Sequence, residues 1–161
     1  MRVHDIMTRE VVSCRMDTDV GTAARTMFQG RFGTLPVVDT RGKVTGIITD
    51  RDIAMAVATR QRNAEHITVE EAMSSHVLGC LAADQVSAAL RLMGEAGVRR
   101  LPVMDATGHL AGILSIDDIL MRAVDRENGV DSSAFVKALR GICSRPSVEP
   151  AVDFSDTATP G

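Results

Sequence analysis

The sequence predicts an α/β (α+β) protein built from two β-α-β-β-α units that pack about a pseudo-two-fold axis. The first observation is an internal repeat. At an offset of 66 residues, Val3–Ile53 aligns without a gap on Val69–Ile119, and 17 of the 51 aligned positions are identical. The second observation is that both copies show the same order of helical and β-rich segments. One copy is too small to cover both faces of its sheet, so we expect the two copies to pack together.

The first helix of each unit is predicted from a polar cap followed by a helical apolar stripe. Thr18 and Asp84 are the N-cap candidates, and Gly30 and Gly97 lie where the helices should end. Between them, apolar residues recur at i, i+3, i+4 and i+7, which indicates one buried face per helix. These residues are Val20, Ala23, Ala24 and Met27 in the first copy and Val86, Ala89, Leu90 and Met93 in the second.

A β-hairpin and a second helix follow in each copy. The hairpin is predicted from two short β-rich runs separated by a polar turn that contains glycine. In the first copy these segments are Leu35–Val38, the turn Asp39–Gly42, Val44–Thr49 and a helix from Asp52 to about Thr59. In the second copy they are Leu101–Met104, the turn Asp105–Gly108, Leu110–Ser115 and a helix from Asp118 to about Arg126.

These segments define the expected domain organisation. Residues 1–126 form one module, with the first copy at about 3–59, a polar linker at 60–68 and the second copy at about 69–126. A short C-terminal helix is expected within 127–141, where Asp131–Arg140 has a capped, partly apolar pattern. Residues 142–161 are rich in Pro, Ser, Thr and Asp, so we expect them to be disordered.

Composition excludes several classes of function. The chain has 161 residues and a net charge of −3 without a cluster of Lys and Arg, so a nucleic-acid surface is not expected. No apolar run approaches the ~20 residues of a membrane span. Three cysteines and the lack of an apolar leader favour the cytoplasm. Trp and Tyr are absent, so neither can stack on a flat ligand, and no nucleophile–base motif indicates an enzyme.

The repeated strings identify a family by resemblance. They are Asp5-Ile6-Met7-Thr8, Leu35-Pro36-Val37-Val38-Asp39 and Gly46–Ile53 in the first copy, and Val98–Val103 and Gly112–Ile119 in the second. Together these strings resemble the CBS domain family, in the paired arrangement called a Bateman module. The segment Phe135–Ala138 with Ile142–Ser144 is also similar to the C-terminal ends of bacterial members of the hypoxic-response type.

Polar residues where the last strand of each hairpin meets the next helix are the candidate site. They are Thr49, Arg51 and Asp52 in the first copy and Ser115, Asp117 and Asp118 in the second. A helix N-terminus attracts phosphate, a carboxylate accepts hydrogen bonds from ribose hydroxyls, and a hydroxyl donates to a phosphate oxygen. The alternative interpretation of Ser/Thr-x-x-Asp is a capping box that needs no ligand.

The resemblance implies a regulatory, non-enzymatic module that binds AMP, ADP, ATP, NAD or S-adenosylmethionine without an obligatory cofactor. It places the adenine of the first copy's site in a slot lined by Val11, Val12 and Phe32–Pro36. The alternative is a ligand-free dimerisation or protein-interaction module. The full set of expected ligand-binding residues is Val12, Phe32, Thr34, Pro36, Thr49, Arg51, Asp52, Arg100, Pro102, Ser115 and Asp118.

Three further expectations concern assembly, the two clefts, and the cysteine and histidine side chains. Apolar residues on the helices that start at Asp52 and Asp118 predict a homodimer, with a protein partner still to be identified. Because Arg51 aligns with Asp117, the first copy should bind phosphate better, unless Arg99 or Arg100 reaches the other cleft. Cys14 and Cys80 are expected to be buried and inert, and the four histidines have no metal-ligand spacing.

Overall fold

A computed structural model describes residues 1–144. It contains two three-stranded sheets with flanking helices, which confirms the predicted α+β class. The first copy comprises α1 (Val3–Ile6), β1 (Cys14–Arg15), α2 (Val20–Gly30), β2 (Thr34–Val38), β3 (Val44–Thr49) and α3 (Asp50–Arg60), followed by a 3-10 turn (Ala64–His66). The second comprises α4 (Val69–Ala72), β4 (Cys80–Leu81), α5 (Val86–Ala96), β5 (Arg100–Met104), β6 (Leu110–Ser115) and α6 (Ile116–Arg122); α7 (Ser132–Cys143) follows.

Both sheets have the same topology. In the first, β2 lies between β1 and β3, pairing in parallel with β1 and antiparallel with β3. The second sheet repeats this order with β4, β5 and β6. Pro36 and Pro102 occupy the central strands, although proline cannot donate to a strand ladder. They are tolerated because each two-residue first strand pairs only with the residues after Leu-Pro, Val37–Val38 or Val103–Met104.

The helix caps differ from the prediction by one residue. Asp19, not Thr18, caps α2 by accepting a hydrogen bond of 2.8 Å from the Thr22 amide, and Gln85, not Asp84, is the N-cap residue of α5. Thr18 and Asp84 instead accept bonds from the amides three residues earlier, where they close the turn after each first strand. Their polar side chains therefore stabilise a turn and not the helix.

Other boundaries also shift. Gly97 ends α5 in the left-handed conformation as expected, with φ 67°, but Arg31 takes that position after α2, with φ 55°. Helix α3 starts at Asp50, while α6 ends at Arg122, before the predicted Arg126, because the chain turns back toward Val130. Helix α7 continues to Cys143, so residues 142 and 143 are helical and not part of a disordered tail. The rest of the predicted tail lies outside the described residues.

The two copies exchange their N-terminal segments. Short helices α1 and α4, which the sequence did not predict, precede the first strand of each copy. The Thr8 segment of the first copy pairs with Ile113 of the second, and Ser74 of the second pairs with Ile47 of the first. These pairs are related by the 66-residue offset, which is what a pseudo-two-fold axis requires. On the axis itself, Lys43 pairs with its own equivalent, His109.

This exchange also builds the core. Val3, Ile6 and Met7 from the start of the first repeat pack in the hydrophobic cluster of the second copy. In return, Ile67 and Val69 pack in the cluster of the first copy. Helix α7 extends the second cluster with Phe135, Ala138 and Ile142. Each copy therefore depends on the other for part of its interior, which explains why the repeat occurs as a pair.

Cys14 and Cys80 are expected to react far more slowly with a thiol reagent than Cys143. Burial raises the pKa of the Cys14 thiol to about 11 and that of Cys80 to about 12, with the charge of Asp84 adding to the second shift. The thiolate is the reactive form, so both side chains are almost fully protonated at pH 8. Cys143 is exposed. Native labelling should modify one thiol rapidly and three in denaturant; rapid native labelling of all three would contradict the prediction.

Candidate functional site

The site begins with two capping boxes at equivalent strand-to-helix junctions. In the second copy, Asp118 Oδ2 accepts from the Ser115 amide at 2.9 Å and from Ser115 Oγ at 2.6 Å, while the Asp118 amide donates to Ser115 Oγ at 3.1 Å. Thr49 and Asp52 form the same three bonds at 2.8, 2.7 and 3.2 Å. The capping interpretation is therefore correct for both junctions.

Capping leaves part of each carboxylate available. All the bonds of the box to Asp118 end on Oδ2, so Oδ1 remains able to accept from a ligand. The single proton of the Ser115 hydroxyl is already donated to Asp118. This hydroxyl cannot also donate to a phosphate unless the cap opens. The geometry thus allows the carboxylate, but not the hydroxyl, to serve both cap and ligand.

A cavity of about 260 Å³ lies beside the second-copy junction. Its lining combines apolar side chains with the capping pair and further polar side chains. It is lined by Thr8, Glu10, Val11, Val12, Phe32, Thr34, Arg100, Ile113, Ser115 and Asp118. Seven of these were predicted from the sequence: Val11, Val12, Phe32, Thr34, Arg100, Ser115 and Asp118.

The expected grouping of these residues was wrong. Val11, Val12 and the Phe32–Pro36 run were expected to lie at the Thr49 junction of the same copy. In the structure, Val11, Val12, Phe32 and Thr34 line the cavity of Ser115 and Asp118. The reason is the exchange of N-terminal segments. The Thr8–Ile113 pairing carries the 8–12 segment of the first copy across to the second copy's hairpin.

The remaining predicted residues do not line this cavity. Thr49 and Asp52 belong to the pseudo-equivalent junction of the first copy. Pro36 and Pro102 are buried within the central strands, opposite Ile47 and Ile113. Arg51 lies exposed on the first turn of α3, and its equivalent Asp117 lies exposed on α6.

Arg100 is the cation of the cavity. It is half-buried at the first position of β5 and stands opposite Ser115 in the antiparallel register. Within the described residues, Arg100 takes part in no ion pair. Its pseudo-equivalent is Thr34, which is opposite Thr49. The second-copy cleft therefore has an arginine where the first-copy cleft has a threonine.

Three lining residues were not predicted from the sequence. Thr8, Glu10 and Ile113 enter the cavity only because the two copies cross. The alignment of the repeats carries no direct signal of such crossing, because it compares the copies without showing how they pack. Glu10 is the exposed acid at this site.

Residues 1–144 contain neither a metal-binding group of side chains nor a membrane-spanning helix. No group of three or more His, Cys, Asp and Glu side chains is arranged to hold a metal ion. No helix within this range has the length and hydrophobicity needed to cross a membrane.

Comparison with protein families and with known sequences gives consistent matches. The family model described as "CBS domain" matches residues 3–59 and 69–125. An uncharacterized 17.7 kDa protein of Acidianus ambivalens is 34% identical over 124 residues, which cover 77% of this chain and 74% of that protein. A homoserine O-acetyltransferase of Methanococcoides burtonii is 35% identical over 117 residues, but these are 73% of this chain and only 23% of that enzyme.

Three solved structures are similar in fold and in sequence. The CBS domain pair of protein MJ0100, in complex with 5-methylthioadenosine and S-adenosyl-L-methionine, has a TM-score of 0.68 and 28% identity, covering 75% of this chain and 94% of that one. Hypoxic Response Protein I, with two coordinated zinc ions, has a TM-score of 0.70 and 26% identity, covering 76% and 98%. CBSX2, in complex with AMP, has a TM-score of 0.65 and 26% identity, covering 74% and 93%.

Proposed function

This chain belongs to the CBS domain family, and from that premise we propose that it is a regulatory module that binds an adenosine-containing ligand in the Ser115–Asp118 cavity. The observation that carries the proposal is the composition of this cavity. An apolar wall, an arginine and a carboxylate with a free oxygen converge in about 260 Å³. Apolar walls with a few convergent polar groups are typical of small-molecule sites.

The parts of an adenosine ligand have matching groups in the cavity. Asp118 Oδ1 is suited to accept from the ribose hydroxyls without opening the helix cap. The adenine ring fits the apolar wall formed by Val11, Val12 and Phe32. Phe32 is the aromatic residue of this wall, which agrees with the absence of Trp and Tyr from the chain.

A phosphate would be bound by Arg100. Its guanidinium is always charged and matches a pair of phosphate oxygens. The Ser115 hydroxyl is engaged in the cap, so the donor expected from the sequence is replaced by this arginine. We therefore propose the second-copy cleft as the principal site, which reverses the preference expected from Arg51 and Asp117 alone. The Thr49–Asp52 cleft is the secondary site in this proposal.

The relatives support a ligand of this class. Two neighbouring structures contain adenosine-type molecules, 5-methylthioadenosine with S-adenosyl-L-methionine in one and AMP in the other. The family is generally regulatory, and the enzyme relative matches over only 23% of its length. A match to so small a part of the enzyme supports a regulatory role for this chain and does not support the acetyltransferase activity. Location in the cytoplasm stays a prediction from the cysteine content.

A thermal-shift screen tests the proposal. The candidates are AMP, ADP, ATP, NAD, S-adenosylmethionine and adenosine, with inosine as a control for recognition of the base. A ligand that binds only the native state at one hundred times its Kd stabilises the fold by about 2.7 kcal/mol. We expect at least one adenosine compound to raise the Tm. Failure of all of them at millimolar concentration would favour the ligand-free interaction module.

We also propose that the module forms a homodimer through α3 and α6. Met55 and Met121 are pseudo-equivalent residues on these helices, with exposed fractions of 53% and 71%, and Leu120 is 50% exposed. Such paired apolar side chains form a surface that two-fold association would cover. This surface is also what supports the ligand-free interaction module as the second candidate function.

Light scattering is expected to give the mass of a dimer at tens of micromolar protein. Met121→Glu should shift the mass toward the monomer, since each two-fold interface would then hold two unpaired charges. Val136→Glu is the matched control, because Val136 is 45% exposed on α7, which is neither of the two proposed interface helices. A monomer mass for the unmodified chain would contradict the proposal.

A further inference from the structure

The Ser115–Asp118 cavity contains an acid for which a nucleotide has no partner. Glu10 lines the cavity together with Arg100 and Asp118, so the charged side chains of the lining are two acids and one base. Glu10 and Arg100 are not paired with each other, and within residues 1–144 neither takes part in an ion pair. The cavity therefore presents a separate anion and a separate cation to a ligand.

The crossing of the two copies brings Glu10 to this cavity. Two residues before it, Thr8 pairs with Ile113, and the backbone N–H of each donates to the carbonyl oxygen of the other at 2.9 Å. Two residues after it, Val12 is part of the lining. The Glu10 side chain is exposed, so it can meet the part of a ligand that extends toward solvent.

The fold does not require an acid at this position. At the 66-residue offset, Glu10 aligns with His76, which is also exposed. The two residues that follow are apolar in both copies. Equivalent segments of the same fold thus carry an acid in one copy and a histidine in the other. The charge of Glu10 therefore acts on what the cavity binds and not on how the chain folds.

Adenosine ligands differ in how their charges meet Glu10 and Arg100. A phosphate monoester such as AMP carries about −1.5 to −2 at pH 7, so it is attracted by Arg100 and repelled by Glu10. S-adenosylmethionine has a sulfonium, an ammonium and a carboxylate in its 5′ substituent. Its carboxylate suits the Arg100 guanidinium, and its cations suit Glu10. Charge complementarity with both side chains favours this ligand over the nucleotide.

We propose that Glu10 is the specificity-determining residue of the Ser115–Asp118 cavity, where it selects adenosine ligands with a cationic 5′ substituent over nucleotides. This inference rests on the proposed function, because it requires that the cavity binds adenosine. Arg100 binds the anionic group of either kind of ligand, a phosphate or a carboxylate. Asp118 serves the ribose that both share.

Calorimetry with S-adenosylmethionine, AMP and adenosine tests the role of Glu10. The unmodified chain is expected to bind S-adenosylmethionine more tightly than AMP. Glu10→Gln should weaken S-adenosylmethionine and strengthen AMP, each by about two-fold to five-fold, the range expected for an exposed charge pair. Both changes should shrink in high salt, which screens exposed charges. Glu70→Gln removes an exposed acid of α4 outside the cavity lining, so this matched control should change neither affinity.

Adenosine distinguishes failure of this inference from failure of the proposed function. If adenosine binds the unmodified chain but Glu10→Gln shifts both charged ligands in the same direction, or shifts neither, the inference is wrong and the proposed function stands. Tighter binding of AMP than of S-adenosylmethionine by the unmodified chain has the same meaning. Equal effects of Glu70→Gln and Glu10→Gln would assign the preference to the net charge of the chain, against the inference. If none of the three compounds binds, both proposals are overturned. The Tm of each variant confirms that it is folded.

Discussion

Asp118→Asn is expected to weaken the binding of every adenosine ligand by about ten-fold to one hundred-fold. A hydrogen bond to a charged group contributes about 1.5–3 kcal/mol, and 1.4 kcal/mol is a factor of ten in affinity. The asparagine side chain has the size of the carboxylate and keeps an oxygen that can accept a hydrogen bond from the Ser115 backbone N–H. The α6 cap should therefore be largely retained. Calorimetry with adenosine and AMP measures the loss.

Arg100→Gln distinguishes the recognition of the phosphate from the recognition of the nucleoside in the same experiment. It should weaken AMP or ATP far more than adenosine, because the guanidinium is proposed to meet only the phosphate. Asp52→Asn and Arg51→Gln make the matched changes at the first-copy cleft and should have smaller effects. If Asp52→Asn abolishes binding while Asp118→Asn does not, the first-copy cleft is the principal site, as Arg51 suggested from the sequence.

Gly112→Ala is expected to destabilise the fold by about 1–3 kcal/mol, the usual cost of overpacking. A Cβ at this position would lie 2.6 Å from the Thr8 carbonyl oxygen and 2.9 Å from Met7 Sδ. The Thr8 oxygen belongs to the backbone segment that crosses between copies, so it cannot rotate away. For a domain of this size, each kcal/mol lowers the Tm by about 2–4 °C. Thermal and urea unfolding measure the change.

Gly33→Ala is the matched control. There the nearest obstacle is the carboxylate of Asp50, at 2.7 Å from the added Cβ, and Asp50 is an exposed side chain that can move. The same substitution at Gly46 should resemble Gly112→Ala, because its Cβ would lie 2.7 Å from the Ser74 carbonyl oxygen. Equal stability of the Gly112→Ala and Gly33→Ala variants would show that the Thr8 segment is not tightly packed against Gly112.

The sequence alone was sufficient for the architecture. The repeat, its helical stripes and its hairpins predicted two α+β units related by a pseudo-two-fold axis, and the paired sheets confirm them. These features can be predicted from the sequence because they arise from local periodicity and from identity between the copies. Helix ends were less accurate because Thr18 and Asp84 have polar side chains suited to either a cap or a turn. Tertiary contacts selected the turn.

What the sequence determined about the site is the identity of its chemical groups: the capping carboxylates, the arginine beside Ser115 and the apolar residues around them. What only the tertiary structure decided is which of these groups share a cavity. Val11 and Val12 lie in the first repeat, yet they line the cavity of the second because the Thr8 segment pairs with Ile113. Hydrophobic periodicity and repeat identity describe each copy by itself. The exchange of segments arises from the burial of Val3, Ile6 and Met7 in the other copy, a contact between distant residues that no local pattern encodes.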